Sequence, residues 1–256
     1  MVAKSVCGAH KLTLILELDV GNTAIKWRRL KAGGVLDSGR FAGGIEGLRD
    51  LLLGNVVMVR IGSVANSDRE AQLRALLVGS GVKYQFVVSQ VECAGVVNAY
   101  QDIHKMGVDR WLAMVAAFQV NRRACVVIDA GTALTIDVLN NKGLHQGGYI
   151  LPGASLMLKI LREGTGQVRF SSDDVKITAP GMNTDSCVHN GKWLGLIGAI
   201  NAAINEAELL IGHQYDVFIT GGDGVTLRRL AGKVATSWYY HEDLVLDGLA
   251  PVLAKV

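Results

Sequence analysis

Two short stretches carry residue types that together can handle phosphate: Asp19-Val-Gly-Asn-Thr23 and Asp129-Ala-Gly-Thr132. Each closes an apolar run and leads into a second one. In such a turn the glycine lets the backbone approach a phosphate closely, and the surrounding N–H groups can point at its oxygens. The threonine hydroxyl is a further donor. The carboxylate repels phosphate itself but suits the divalent ion that travels with it. Either turn alone reads as a plain β-hairpin; two at equivalent places can grip a polyphosphate from both sides. A third glycine turn, Thr220-Gly-Gly-Asp-Gly224, ends a late strand and leaves room for a flat purine and ribose, although strand-ending glycines are common. Other polar residues have bland readings by type alone. Asp109 reads as a helix-start carboxylate worth ~0.3–1 kcal/mol to the helix dipole. Arg110 and Lys26 read as exposed cations, Tyr100 as a half-buried packing residue, and Thr184 as a helix cap.

The elements that must position these residues follow from hydropathic period. Strands are expected over 12–19, 23–30 and 35–41, then a short helix over 45–53 and a buried strand over 55–64. A helix over 67–77 follows, with Ser67 as its cap and Glu70 as the capping-box partner, and a short strand over 84–88. Gly107-Val-Asp-Arg110 opens an apolar helix over 111–120. The strand–turn–strand pattern then returns, with strands at 124–129 and 134–139, the stretch Gly147-Gly-Tyr-Ile-Leu-Pro-Gly153, and a helix over 154–162. Residues 171–183 look irregular. A long helix over 193–210, a strand over 215–220, a helix near 225–231 and a weaker closing helix over 244–253 complete the chain. Two halves that each begin with a strand, an acidic glycine turn and a second strand imply a duplicated α/β domain.

Composition narrows the classes. At ~150 residues per domain, 256 residues make one or two domains. A hydrophobic share of 50% rules out disorder from want of a core. A net charge of +3 without a basic block gives no argument for nucleic acid. The four cysteines, Cys7, Cys93, Cys125 and Cys187, stand far apart, which argues against a disulfide framework or zinc site and fits a reducing cytoplasm. No apolar run approaches the ~18 residues that a bilayer requires, and Met1 to Lys11 reads as a floppy leader rather than a signal peptide. Walker, Rossmann, zincin and nucleophile-elbow motifs do not occur.

Four motifs, Asp19-Val-Gly-Asn-Thr-Ala-Ile-Lys26, Gly107-Val-Asp-Arg110, Asp129-Ala-Gly-Thr-Ala133 and Gly147-Gly-Tyr-Ile-Leu-Pro-Gly153, occur in the order found in type III pantothenate kinases. The chain resembles that family from about residue 14 to 225. The resemblance implies an α/β fold of duplicated ribonuclease-H-like domains with mixed central sheets, as in the actin-like ATPase superfamily, with halves at 12–120 and 121–256. It implies ATP-dependent phosphorylation of pantothenate to 4'-phosphopantothenate, the first step of coenzyme A biosynthesis, by a cytoplasmic homodimer without nucleic-acid or membrane partners.

By the same resemblance Asp109 is the general base, and positioning matters more than base strength in a loose phosphoryl-transfer transition state. Gly107, Val108 and Arg110 bind the substrate, with Arg110 pairing its carboxylate, and Tyr100 forms a pocket wall. Thr184 reaches the substrate across a dimer interface, although 185–190 is more polar than the family pattern. Asp19, Val20, Gly21, Asn22, Thr23, Ala24, Ile25, Lys26 and Thr132 bind ATP. Mg²⁺ accompanies ATP on the Asp19 side, and Asp129 holds a monovalent cation, K⁺ or NH₄⁺. Two alternatives stand beside this one: a sugar kinase of the same superfamily, and a non-enzymatic accessory factor in gene expression that kept the fold.

Overall fold

The computed structural model describes residues 13–171 and 175–254. The leader expected over Met1 to Lys11 lies outside them. By their contacts the described residues form two units, one running to Val87 and one starting at Val88.

The first unit is built on β1 (Leu14–Val20), β2 (Ala24–Lys31), β3 (Gly34–Ala42), β4 (Val56–Ser63) and β5 (Lys83–Phe86), with α1 (Leu48–Leu52) and α2 (Ser67–Ser80) between strands. The sheet order is β3-β2-β1-β4-β5. β1, β2 and β3 are antiparallel neighbours, whereas β4 and β5 run parallel to β1. The alternation of β1 sends Leu16, Leu18 and Val20 into a core shared with Ile25, Val59 and Ile61, and the helices cover it with Leu48, Leu73 and Leu77. The start of α2 differs from the expected Ser67–Glu70 box. Asn66 is the cap, because its backbone is still extended and its side chain accepts the Arg69 N–H at 3.0 Å.

The second unit repeats that order. After a small hairpin of β6 (Glu92–Cys93) and β7 (Val96–Val97) comes α3 (Val108–Asn121), then β8 (Cys125–Ala130), β9 (Ala133–Leu139) and β10 (His145–Pro152). α4 (Ala154–Gly164), α5 (Thr184–Ile211), β11 (Asp216–Thr220), α6 (Gly224–Ala231), β12 (Tyr239–Tyr240), α7 (Leu244–Asp247) and α8 (Leu249–Leu253) follow. The sheet runs β10-β9-β8-β11-β12, again with three antiparallel strands and then two parallel additions. Val126, Ile128, Leu134 and Ile136 pack in a core with Trp193 and Ile200 of α5 and Leu227 of α6. The alternate residues of β8 and β9, among them Asp129, Thr135 and Asp137, therefore point to the opposite face.

Three expectations need correction. α5 begins at Thr184, well before residue 193, because Asn183 and Ser186 form a reciprocal capping box that polar composition alone hides. Over 18 residues α5 reaches a mean hydropathy of 1.4, so its length and composition would suffice to cross a membrane. Scattered polar residues conceal this in the sequence, and α5 packs Trp193, Ile200 and Ala207 into the core of the second unit. The closing helix over 244–253 is broken at Gly248, where a Cβ would lie 2.2 Å from the Leu112 carbonyl oxygen of α3.

Candidate active site

The first unit presents the Asp19 turn between β1 and β2. Gly21 donates its N–H to the Ala24 carbonyl at 3.0 Å, which closes a three-residue connection through Asn22 and Thr23. Asp19 lies directly opposite Lys26 in the β1–β2 register. Val20 and Ile25 are buried in the core, so their backbones alone can face a ligand, while Asn22 and Thr23 are exposed. The turn is fixed from α2. The Asn66 N–H donates to Asn22 Oδ1 at 2.8 Å, and Asn22 Nδ2 donates to the Val64 carbonyl at 3.2 Å. Arg69 Nη1 donates to the Asn22 carbonyl at 2.7 Å, and Nη2 donates to the Gly43 carbonyl. Arg69 was not singled out in the sequence, because its role depends on a carbonyl 47 positions away.

In the second unit the Asp129 turn is one residue shorter. Gly131 donates to the Ala133 carbonyl at 3.0 Å, and Gly153 donates to the Thr132 carbonyl at 2.9 Å. A Cβ on Gly153 would lie 2.2 Å from the Gly131 carbonyl oxygen, so the glycine after Pro152 is what lets the end of β10 close on this turn. The third glycine turn joins the same place: the Asp223 N–H donates to the Ala130 carbonyl at 3.0 Å. Gly221 there has φ of +90°, and a Cβ on it would stand 2.5 Å from Asp129 Oδ1. A side chain at Gly221 would therefore collide with the Asp129 carboxylate. A cavity of about 500 Å³, lined by Val225, Arg228, Arg229 and Tyr240 among others, lies beside α6 just after this turn.

Asp109 and Arg110 occupy the first turn of α3. Asp109 is half-buried and folds back, its Oδ1 accepting the Arg110 N–H at 2.8 Å; a Cβ on Gly107 would lie 2.6 Å from that oxygen. Burial raises the Asp109 pKa above the ordinary carboxylate value, although the Arg110 N–H and guanidinium oppose the shift. Arg110 is buried, and its fork is already engaged. Nε donates to Asp137 Oδ2 at 2.9 Å and Nη2 to Oδ1 at 2.6 Å, while Nη1 donates to the Tyr100 hydroxyl at 2.7 Å. Burial works against the guanidinium charge, yet the Asp137 carboxylate outweighs it and raises the Arg110 pKa. His145 completes the group, with Nε2 2.9 Å from Asp137 Oδ1 and its ring stacked on Tyr100.

The structure therefore brings Tyr100, Asp109 and Arg110 together and adds two residues that the sequence reading passed over. Asp137 had a signal: it is a carboxylate within the otherwise apolar or hydroxylic strand Ala-Leu-Thr-Ile-Asp-Val-Leu. His145 had none. Thr184 stands exposed at the start of α5 and makes none of the hydrogen bonds of this group. Among the described residues no cluster of three or more His, Cys, Asp or Glu side chains is arranged to hold a metal ion.

Solved structures of similar shape place the fold. The chain superposes with a TM-score of 0.60 on a putative Baf family transcriptional activator from Campylobacter jejuni, at 20% identity over 94% of this chain and 98% of that one. A putative 2-dehydro-3-deoxygalactonokinase from Sinorhizobium meliloti gives 0.50 at 13% identity, over 94% and 98%. Two acidic glycine turns at the same point of two equally ordered mixed sheets, with these neighbours, define a duplicated α/β fold of the actin-like type. The particular family comes from sequence. A family model described as type III pantothenate kinase matches residues 15–206. Type III pantothenate kinases of Pseudomonas fluorescens and Pseudomonas putida are each 38% identical to this chain, over 93% of it and 98% of their own length. The chain belongs to the type III pantothenate kinase family, and it is a kinase by that membership.

Proposed function

We propose that this protein transfers the γ-phosphoryl group of ATP to the primary hydroxyl of pantothenate, giving 4'-phosphopantothenate and ADP, the first step of coenzyme A biosynthesis. The observation that carries the reading is the Asp109 carboxylate, fixed in the first turn of α3 beside Arg110 and Tyr100 and raised in pKa by burial. The substrate oxygen attacks the γ-phosphorus, the bond to the β-bridging oxygen breaks, and Asp109 takes the hydroxyl proton. A carboxyl poised above its ordinary pKa is a better proton acceptor once ionised. Tyr100, Gly107, Val108 and Arg110 form the acceptor side. Because two donors of Arg110 are spent on Asp137, its contact with the substrate carboxylate uses the remaining N–H groups.

The phosphates are assigned to the turns at Asp19–Lys26 and Thr132, the purine to the third turn and the cavity beside α6. Mg²⁺ would be held by Asp19 together with the triphosphate, and when bound it neutralises phosphate charge. Asp129, in its glycine-lined space, would hold K⁺ or NH₄⁺. The repeats are assigned to 12–120 and 121–256, since each begins with three consecutive antiparallel strands and then adds two parallel strands with helices between them. We assign the working form as a homodimer in the cytoplasm, with Thr184 contributing to the partner's pocket. Exposed Leu194, Leu209 and Leu210 on α5 supply apolar surface for such an interface. Light scattering that shows a fully active monomer of 27.3 kDa would remove the dimer.

The reaction is tested by incubating the pure protein with ATP and pantothenate, glucose or glycerol. Phosphorylation of pantothenate alone is expected; transfer to a sugar, or to no acceptor, would overturn the reading.

A further inference from the structure

We propose that Asp137 and His145 are positioning residues of the acceptor site, holding Arg110 and Tyr100 so that the Tyr100 hydroxyl proton is kept for an oxygen of the acceptor substrate. The inference rests on the pantothenate kinase reading and states how that site is held in shape.

Hydrogen-bond direction carries the first step. A guanidinium can only donate, so in its 2.7 Å contact with Arg110 Nη1 the Tyr100 oxygen is the acceptor. The hydroxyl hydrogen must point elsewhere, and among the described residues the hydroxyl has no second partner. Tyr100 is half-buried, so this donor is neither locked in the core nor lost in solvent. The positive charge that it accepts from makes it a stronger donor.

The second step is why the arrangement has one geometry. Asp137 takes two parallel N–H bonds from Arg110, which fixes the guanidinium plane as well as its position. His145 donates to the same carboxylate from Nε2, because Asp137 as a carboxylate can only accept. Its ring lies 16° from parallel to Tyr100 at a centroid distance of 6.2 Å, so one residue sets both the carboxylate and the tyrosine plane. Arg110, Asp137 and His145 are all at most 5% exposed. The second glycine of Gly147-Gly148-Tyr149 makes this possible, since a Cβ on Gly148 would lie 2.5 Å from Asp137 Oδ1 and 3.0 Å from Arg110 Nη2.

Energetics favour positioning over plain stability. A buried ion pair often contributes no more to stability than well-packed apolar residues of similar volume would. Three polar residues and a glycine built round one guanidinium are a costly way to fill a core. They are an effective way to hold a donor in place beside a carboxylate base two positions into a helix.

The test measures kcat and KM for both substrates in wild type, Asp137→Asn, His145→Gln, His145→Leu, Tyr100→Phe and the Asp137→Asn/Tyr100→Phe double variant. Asp137→Asn is expected to raise KM for pantothenate at least tenfold while KM for ATP stays within twofold. His145→Gln, which keeps an N–H toward Asp137, is expected to lose less than His145→Leu. The double variant is expected to lose less than the product of the two single losses, because part of the effect of Asp137→Asn passes through the Tyr100 hydroxyl. An unchanged pantothenate KM in Asp137→Asn, an equal rise for both substrates, or multiplicative effects in the double variant would overturn the proposal. If Asp137→Asn does not fold, His145→Leu decides, and a wild-type pantothenate KM there overturns it. A wild type that phosphorylates no pantothenate overturns the underlying reading along with this one, whereas an active wild type with indifferent variants overturns this one alone.

Discussion

Each unit buries a carboxylate on its central sheet, and the two are tied to different things. In the first unit Glu17 of β1, fully buried, meets Arg28 at 2.7 Å and Arg60 at 3.1 Å. Both arginines are its register partners on the flanking strands, so the three charges form one row across the sheet. In the second unit Asp137 of β9 meets Arg110, which comes from the first turn of a helix, and His145 from the edge strand. The first row ties three neighbouring strands of one sheet together. The second ties the sheet to the turn that carries Asp109. Under the proposed function the same sheet order serves two purposes: a frame for one phosphate turn in the first unit, and in the second a phosphate turn plus an acceptor side.

The largest expected effect that separates the two is on stability. Glu17→Gln leaves two arginines facing a neutral group, and breaking a buried pair of this kind costs ~3–5 kcal/mol. Urea unfolding is expected to show that loss while KM for both substrates stays at the wild-type value. A changed pantothenate KM in this variant would erase the distinction between the rows.

A smaller effect probes the turns themselves. Arg69→Ala removes two donors that hold the Asn22 and Gly43 carbonyls. A hydrogen bond from a charged group contributes about 1.5–3 kcal/mol, so KM for ATP is expected to rise roughly tenfold. Pantothenate KM is expected to remain unchanged, since the proposed acceptor residues belong to the other unit. A rise in pantothenate KM instead would mean that the Asn22 turn is not dedicated to the nucleotide.

The smallest effect concerns Asp129. At constant ionic strength, rates with K⁺ or NH₄⁺ as the sole monovalent cation are expected to exceed those with Na⁺ by a factor of several. Equal rates in all three would leave Asp129 as a turn residue and make the two acidic turns alike.

Much of this comparison was legible in the sequence. Apolar runs at β1 and β8, each followed by an acidic glycine turn and a second strand, were enough to expect two equivalent halves. The motif Gly107-Val-Asp-Arg110 marked the start of α3 because its glycine and Asp109 precede a continuous apolar stretch. What stayed hidden depends on partners distant in the chain. Arg110 read by residue type alone as a surface cation and by resemblance as a partner of the substrate carboxylate, and nothing in its neighbours shows that Asp137 lies beside it. Asn66 displaced Ser67 as the cap of α2 because backbone conformation, rather than residue type, chose between two good capping residues. The early start of α5 was masked by its own polar first turns, which belong to a capping box and to the contacts of Asp185 with Ser171.

The central claim is that acceptor chemistry resides in the second unit, at Asp109, and that nucleotide binding does not need it. Asp109→Asn tests this directly, with ATP affinity, turnover on pantothenate and thermal stability measured on the same protein. A carboxyl whose folded pKa is raised by burial contributes stability that is fully present below the unfolded pKa and is lost as pH rises through the folded pKa. Above the folded pKa the buried charge is therefore a cost, and the neutral amide is expected to keep or raise Tm there. ATP affinity is expected to match wild type, and kcat is expected to fall about 100- to 10,000-fold, the range for a lost general base. A folded Asp109→Asn protein that turns over pantothenate at near the wild-type rate would contradict the account.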